Sequence, residues 1–207
     1  VEYKSDEINQ IQVNSKVGLT FASGLRSILR QDPDIIMLGE IRDSETASIS
    51  IQAALTGHLL FSTLHTNRAP SAISRLIDMG VEKFLISSSL LGVLAQRLVR
   101  KLCSNCKVED LIAEQFINDF DLPKDCNIYK IKGCKDCNFT GYTGRIAIGE
   151  LFIITDNIKN NIKNNIDDIA LMKIAQEDGM ITLKSQLKDM LINGITSLDE
   201  AIRIGIK

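Results

Sequence analysis

Four of the five cysteines fall into two C-x-x-C pairs, Cys103 with Cys106 and Cys134 with Cys137, and 27 residues separate the pairs. Four thiolates from two such turns suit the tetrahedral coordination of zinc and leave no ligand position open for water or substrate. We therefore predict a structural zinc site at these residues. Free thiols and redox chemistry are the alternatives, and the matched spacing argues against both. Cys126 belongs to neither pair.

A carboxylate stands at the end of the first strongly apolar segment. Glu40 follows the run Ile35–Leu38 and one glycine, Gly39, within DPDIIMLGEIRD. A carboxylate is costly to place near a core, so this position indicates a need for charge. In nucleotide hydrolases with a phosphate-binding loop, an acidic residue at a strand end lies beside magnesium and the terminal phosphate. Many strands also end in a surface carboxylate, so the signal is weak by itself.

Two histidines bracket the next apolar segment, in TGHLLFSTLHTN. Open α/β sheets bind their ligands outside the carboxyl ends of the strands. His65 follows the segment, so we place it in the site. His58 precedes the segment, and we predict a structural role for it.

The elements that must position these residues follow an alternating pattern of helix and strand, which is typical of a parallel α/β sheet. Two strands are predicted, each buried on both faces, at Ile35–Leu38 and over residues 59–64. One helix before the first strand is capped by Thr20, and the helix between the strands is capped by Asp43 or Ser44 and ends at Gly57.

Two more helices are predicted over residues 69–79 and 84–102. The second would end in Arg97, Arg100 and Lys101, which suit the negative pole of a helix C-terminus or, alternatively, a phosphate. Turn-rich sequence then carries the cysteines, and a helical tail follows. Within that tail, we interpret residues 156–168 as biased composition on a helix or loop and not as a motif.

Composition narrows the class of protein. The 207 residues are 44% hydrophobic and 24% charged, as in ordinary folded domains, and the net charge is -2. That balance gives no electrostatic reason to expect direct binding of nucleic acid. The apolar run FLISSSLLGVLA is shorter than the roughly 18 residues that a membrane span requires, so we predict no transmembrane segment. Paired cysteines without a secretory signal indicate a reducing compartment.

Three long segments together resemble one family: NSKVGLTFASGLRSILRQDPDIIMLGEIRDSETASISIQAALTGHLLFSTLHTN, AISRLIDMGV and AQRLVRKLCSNC. They are similar to the secretion ATPases of type II systems and to the assembly ATPases of type IV and competence pili, over nearly the whole chain. The resemblance implies an α/β fold with a partial RecA-like P-loop NTPase core. The expected division is an ATPase part at 1–102, a four-cysteine zinc subdomain at 103–150 and a helical region at 151–207.

Each site residue takes a role from the resemblance. LGE would be the Walker B segment with Glu40 as its acidic residue, and STLHTN would be the His box with His65 near the γ-phosphate. We expect these two residues to be catalytic. Glu2, in what looks like the tail of the Asp box, would join Gly39 and Arg42 in binding ATP and Mg²⁺.

The resemblance also implies partners and location. Family members form cytoplasmic homo-hexamers, peripheral to the inner membrane, and drive pilin or pseudopilin assembly through a membrane platform protein and cytoplasmic assembly proteins. Pilus-retraction ATPases generally lack the four cysteines, which favours assembly or export here. Secretion, pilus assembly and DNA uptake share these motifs, so the pathway stays open.

Two features depart from the family pattern. Arg68 follows the His box where an acidic residue is frequent, and no G-x-x-x-x-G-K-[ST] occurs in the chain. Because the family places that loop ahead of the Asp box, the chain resembles the C-terminal half of a longer ATPase and should be inactive alone. The alternative is a non-enzymatic, zinc-stabilised module that docks on a partner. Nucleic-acid binding through the cysteine turns is disfavoured by the scarcity of aromatic residues there.

Overall fold

The computed structural model describes residues 3–111, 114–164 and 167–206. Glu2, one of the predicted nucleotide-binding residues, lies outside them. The chain forms two compact units, each built from two segments. The first unit comprises Val1–Gly92 and Ile153–Ile174, and the second comprises Val93–Phe152 and Ala175–Lys207. The division into three parts at residues 102 and 150, which is based on the sequence motifs, stays a prediction.

Helices and strands alternate in the first half of the chain and become irregular around the cysteines. The helices are α1 Phe21–Leu29, α2 Ser44–Leu55, α3 Ser71–Asp78, α4 Lys83–Ser89, α5 Glu114–Phe120, α6 Asp156–Lys163, α7 Asp168–Glu177, α8 Leu183–Ile192 and α9 Leu198–Arg203. The strands are β1 Ile35–Leu38, β2 Leu59–Ser62, β3 Gly92–Leu102, β4 Val108–Asp110, β5 Ile128–Lys130 and β6 Tyr142–Ile153. Within the described parts of the chain, no helix has both the length and the hydropathy that a membrane crossing needs.

The predicted helix boundaries around β1 are confirmed by their caps. Thr20 Oγ1 accepts from the N–H of Ser23 at 3.1 Å, and the Ser23 hydroxyl accepts from the N–H of Thr20 at 2.8 Å. Of the two candidate caps of α2, Asp43 is the one used, and its carboxylate accepts from the N–H of Thr46 at 2.7 Å. After α2 the chain turns at Gly57, whose φ of +103° favours glycine.

Strands β1 and β2 pair in parallel, with Ile35 opposite Leu59 and Leu38 opposite Ser62. The prediction that both faces of these strands are buried is wrong. Ile36 and Leu38 are buried, whereas Met37 is 78% exposed and Phe61 54% exposed. Within the described residues, the rest of the first unit therefore covers one face of the two strands. Their side chains alternate between buried and exposed, as they do in a sheet that is covered on one face.

The predicted helix over 84–102 is also wrong beyond α4, because the chain continues as β3. The buried residues of β3 are Ala95, Val99 and Leu102, and their spacing of four and then three also matches one face of a helix. Pairing with β6 decides the conformation. The basic residues of this stretch therefore do not lie at a helix C-terminus.

The predicted helical tail is confirmed by α6 to α9. Of the helix or loop expected for its first stretch, the structure shows a helix, α6, which buries Ile158 and Ile162 on one face. Thr155 caps this helix by accepting from the N–H of Ile158 at 3.2 Å. In the second unit, α8 and α9 contact β5, and α8 buries Leu187 and Leu191 fully.

Candidate functional site

The carboxyl ends of β1 and β2 bring together three of the predicted site residues. Glu40 follows β1 and His65 follows β2, and the two parallel strands end at the same edge. Glu40 Oε2 lies 2.5 Å from Arg42 Nε and 3.4 Å from His65 Nε2. The Glu40 side chain is 19% exposed, while that of His65 is 86% exposed. The cluster is therefore open to a ligand from the solvent side.

Arg42 favours the ionised form of Glu40. The hydrogen bond from Arg42 holds the pKa of Glu40 below its ordinary value, against the opposing effect of partial burial, and the contact with His65 acts in the same direction as Arg42. Both contacts use the same carboxylate oxygen, Oε2. An ionised carboxylate in this position can accept a proton or coordinate a cation.

Gly39 lets the chain pass close to α1 just before Glu40. A Cβ atom added at Gly39 would lie 3.3 Å from Cε1 of Phe21, tighter than an ordinary contact. The carbonyl of Gly39 accepts a hydrogen bond from Thr63 Oγ1 at 2.8 Å. The structure thus gives this glycine a packing role beside the carboxylate, and nucleotide binding by Gly39 stays a prediction.

His58 lies at the other end of β2, away from this cluster. Its Nδ1 is 3.0 Å from the carbonyl oxygen of Ala53 and 3.2 Å from Thr56 Oγ1, at the end of α2. These local contacts agree with the structural role that its position predicts.

The four paired cysteines form a second cluster, in the second unit. Their sulfur atoms all lie within 4.8 Å of one another. The Sγ atoms of Cys103 and Cys134 are 3.9 Å apart, and those of Cys106 and Cys137 are 3.8 Å apart. Sulfurs at about 2.3 Å from a tetrahedral zinc would be separated by about 3.8 Å. The cluster is therefore compatible with zinc, and Cys126 is not part of it.

Backbone N–H groups favour the thiolate form at one of these residues. Cys137 Sγ accepts from the N–H of Cys134 and from the N–H of Gly141, each at 3.2 Å. The bond from Cys134 is the main reason why the pKa of Cys137 falls to about 6. Burial, in contrast, raises the pKa of Cys106 to about 12. A cation among the sulfurs would favour the thiolate at all four positions.

Comparison with known proteins assigns the family. Residues 1–203 match the model of the family described as "Type II/IV secretion system protein". The chain belongs to this family. It is 47% identical over 204 residues to type II secretion system protein E of Dickeya dadantii, and it is 50% identical over 206 residues to the type IV pilus assembly ATPase PilB of Thermus thermophilus. The family predicted from the sequence is confirmed.

These relatives are longer than this chain. The alignments cover 99% and 98% of the chain, but only 41% of the Dickeya protein and 23% of the Thermus protein. The chain thus spans about two fifths of the type II relative. It corresponds to part of the length of these family members.

Solved structures confirm the predicted fold class. The pilus retraction motor PilT with bound ADP aligns with a TM-score of 0.64 and 28% identity, over 91% of this chain and 44% of that protein. The ATPase DotB of Legionella pneumophila aligns with a TM-score of 0.64 over 96% of this chain and 47% of that protein, and at 23% identity it shows the fold alone. The chain is therefore a partial RecA-like α/β core with a four-cysteine subdomain and a helical C-terminal region.

Proposed function

We propose that this chain forms part of an ATPase that powers protein secretion or pilus assembly, and that Glu40 is the acidic residue of its Walker B segment. The observation that carries the proposal is the cluster of Glu40, Arg42 and His65 at the shared edge of β1 and β2. The Thermus relative, which is named as a type IV pilus assembly ATPase, supports the reaction class.

The ionised Glu40 would hold Mg²⁺, directly or through water, and would orient the attacking water. Bound Mg²⁺ would neutralise negative charge on the transferred phosphate. Arg42 would keep the carboxylate charged and contact the nucleotide, and the exposed imidazole of His65 would reach toward the γ-phosphate. Gly39 and Glu2 would complete the nucleotide site, as the family resemblance predicts.

The phosphate cradle itself is not among the 207 residues, since they contain no G-x-x-x-x-G-K-[ST]. Catalysis of phosphoryl transfer depends mainly on positioning and charge stabilisation of the phosphates. We therefore propose that this chain alone hydrolyses ATP negligibly, and that the activity belongs to a whole protein that also supplies such a loop. A phosphate-binding loop encoded upstream in the same reading frame would support this.

The finer assignments follow from the family. We propose a cytoplasmic homo-hexamer, peripheral to the inner membrane, that acts on pilins or pseudopilins through a platform protein and cytoplasmic assembly proteins in a secretion, pilus or DNA-uptake machine. We further propose structural Zn²⁺ at the four cysteines, with no direct contact to nucleic acid.

The test is steady-state ATP hydrolysis by the whole protein and its Glu40→Gln variant. We expect the substitution to lower kcat about a hundredfold or more, because glutamine keeps the shape but removes the charge. Glu45→Gln is the matched control, since Glu45 is 58% exposed and forms an ion pair with Arg26, which is itself exposed. Its kcat should stay within about twofold of the wild type.

A non-enzymatic docking module predicts another result. In that case the whole protein would show no ATP hydrolysis, or an activity that Glu40→Gln leaves unchanged. Either outcome would refute the proposed role of Glu40.

A further inference from the structure

The regular ladder between β1 and β2 does not continue through Glu40. Inside the ladder, the N–H of Leu59 donates to the carbonyl of Asp34 at 3.0 Å, with Ile35 as the paired residue. In a parallel ladder, a residue such as Leu59 donates to the residue before its partner and accepts from the residue after its partner, and this pattern repeats at every second residue. If the ladder continued to Thr63, the partner of Thr63 would be Gly39, and the Thr63 carbonyl would accept from the N–H of Glu40. The structure places the N–H of Ile41 there instead, at 3.1 Å.

The end of β1 therefore carries one extra residue, and burial shows what it does. Side chains of a strand alternate between faces, so Glu40 would follow Ile36 and Leu38 toward the core. With the extra residue, Ile41 takes the inward position and is 9% exposed. The Glu40 carboxylate reaches the edge, where Arg42 and His65 contact it.

Thr63 holds this irregular segment on both sides of Glu40. Its carbonyl accepts from the N–H of Ile41, the residue after Glu40. Its hydroxyl donates to the carbonyl of Gly39, the residue before Glu40, at 2.8 Å. Because Thr63 precedes His65 by two residues, the same contacts hold the segment after β2 that carries the imidazole.

We infer that Thr63 is a positioning residue for the nucleotide reaction, and that its hydroxyl sets the placement of Glu40 relative to His65. This inference rests on the proposed function for its effect on catalysis, whereas the effect on the Glu40 segment does not. Thr63 itself is exposed, so its substitution leaves the core intact. Thr63 lies within STLHTN, the expected His box, but no role was predicted for it from the sequence.

The test uses three variants of the whole protein. Thr63→Val removes the hydroxyl and keeps the size of the side chain, while Thr63→Ser keeps the hydroxyl. Thr56→Val is the matched control, because Thr56 is also exposed and its hydroxyl donates to backbone carbonyls of α2, those of Gln52 at 3.1 Å and Ala53 at 3.0 Å.

We expect Thr63→Val to lower kcat for ATP hydrolysis about tenfold to a hundredfold, since small misplacements of catalytic groups are costly. KM for ATP should stay within about twofold, because the phosphate cradle is not altered. Thr63→Ser and Thr56→Val should keep kcat within about twofold of the wild type. An unchanged kcat in Thr63→Val, or an equal loss in Thr63→Ser, would overturn the inference.

Hydrogen exchange at the amide of Ile41 gives a readout that needs no ATP hydrolysis. Losing one hydrogen bond from the segment should speed this exchange by about threefold to tenfold in Thr63→Val. Thr63→Ser and Thr56→Val should leave it unchanged. If the whole protein shows no hydrolysis that depends on Glu40, the proposed function fails, and the exchange rate decides the inference. Unchanged exchange in Thr63→Val would reject it.

Discussion

Replacing Glu200 by glutamine should lower the free energy of unfolding of the second unit by about 3 kcal/mol at pH 7. Glu200 lies on α9 and its side chain is fully buried. It accepts hydrogen bonds from the backbone N–H of Arg100 at 3.0 Å and from Arg100 Nε at 2.8 Å. Arg203 adds two more, each at 2.6 Å. Glutamine carries no charge, so it cannot replace the ion pairs that Glu200 forms with Arg100 and Arg203.

The magnitude follows from the pKa of Glu200. Burial alone would raise this pKa, but the hydrogen bonds from Arg203 and Arg100 outweigh burial and hold it at about 2, against an ordinary value of 4.5. A difference of about 2.5 units corresponds to about 3 kcal/mol. Because the folded-state pKa is depressed, this stability is present above pH 4.5 and is lost as the pH falls toward 2. At pH 3, about 1.4 kcal/mol should remain.

The assay is urea denaturation of the wild type and Glu200→Gln at several pH values. Methyl NMR signals of Val99 and Ile128, both fully buried in the second unit, report its unfolding. The ion pair of Asp121 and Lys188 lies in the same unit, and Asp121 is 85% exposed; it supplies the control Asp121→Asn, which should cost less than about 1 kcal/mol. A difference between wild type and Glu200→Gln that is under about 1 kcal/mol at pH 7, or equal at pH 7 and pH 3, would refute the reasoning.

Two further predictions concern the cysteine cluster. The purified protein should contain one zinc per chain by elemental analysis. Cys106→Ser should lose the zinc while Cys126→Ser keeps it, and equal zinc loss in both variants would contradict the site. Chelation of the zinc should unfold the cysteine region first, because a structural zinc contributes on the order of 10 kcal/mol to folding. Gly141→Ala should cost about 3 kcal/mol in urea denaturation, because the new Cβ would lie 2.4 Å from the Cβ of Ile131 at a φ of +76°. Gly179→Ala, with a φ of +98° and no atom within 4 Å, should cost only about 1 kcal/mol, and equal losses would show that the close approach is unimportant.

Features set by neighbouring residues could be predicted from the sequence. The bounds of β1 and the caps Thr20 and Asp43 depend on an apolar run and on short polar side chains, and both act within a few residues. The four-cysteine cluster was predictable because unrelated cysteines rarely fall into two matched C-x-x-C pairs, whereas zinc sites use this spacing often. The prediction that Glu40 and His65 belong to one site rested on their positions at the carboxyl ends of two strands, where open α/β sheets bind their ligands.

Features set by distant pairing could not be predicted in the same way. The buried positions of β3 fit a helix as well as a strand, and only its pairing with β6 separates the two. The role of Arg100 depends on Glu200, a hundred residues later. The exposed faces of Ile35 and Met37 depend on which elements pack against β1. No local pattern contains this information.

Both candidate sites depend on backbone that departs from regular geometry. At the first site, an extra residue turns Glu40 out of the core. At the second, Phe139 has a φ of +59°, which costs about 1 to 3 kcal/mol for a residue with a large side chain, whereas Asn138, at +50°, is of a type that tolerates this region. This turn places the N–H of Phe139 on the carbonyl of Cys134 at 2.8 Å and that of Thr140 on the carbonyl of Cys137 at 3.0 Å. A bound zinc would offset that strain several times over. Residue types therefore identify the candidate site residues, but their placement depends on irregular backbone that periodic patterns do not encode.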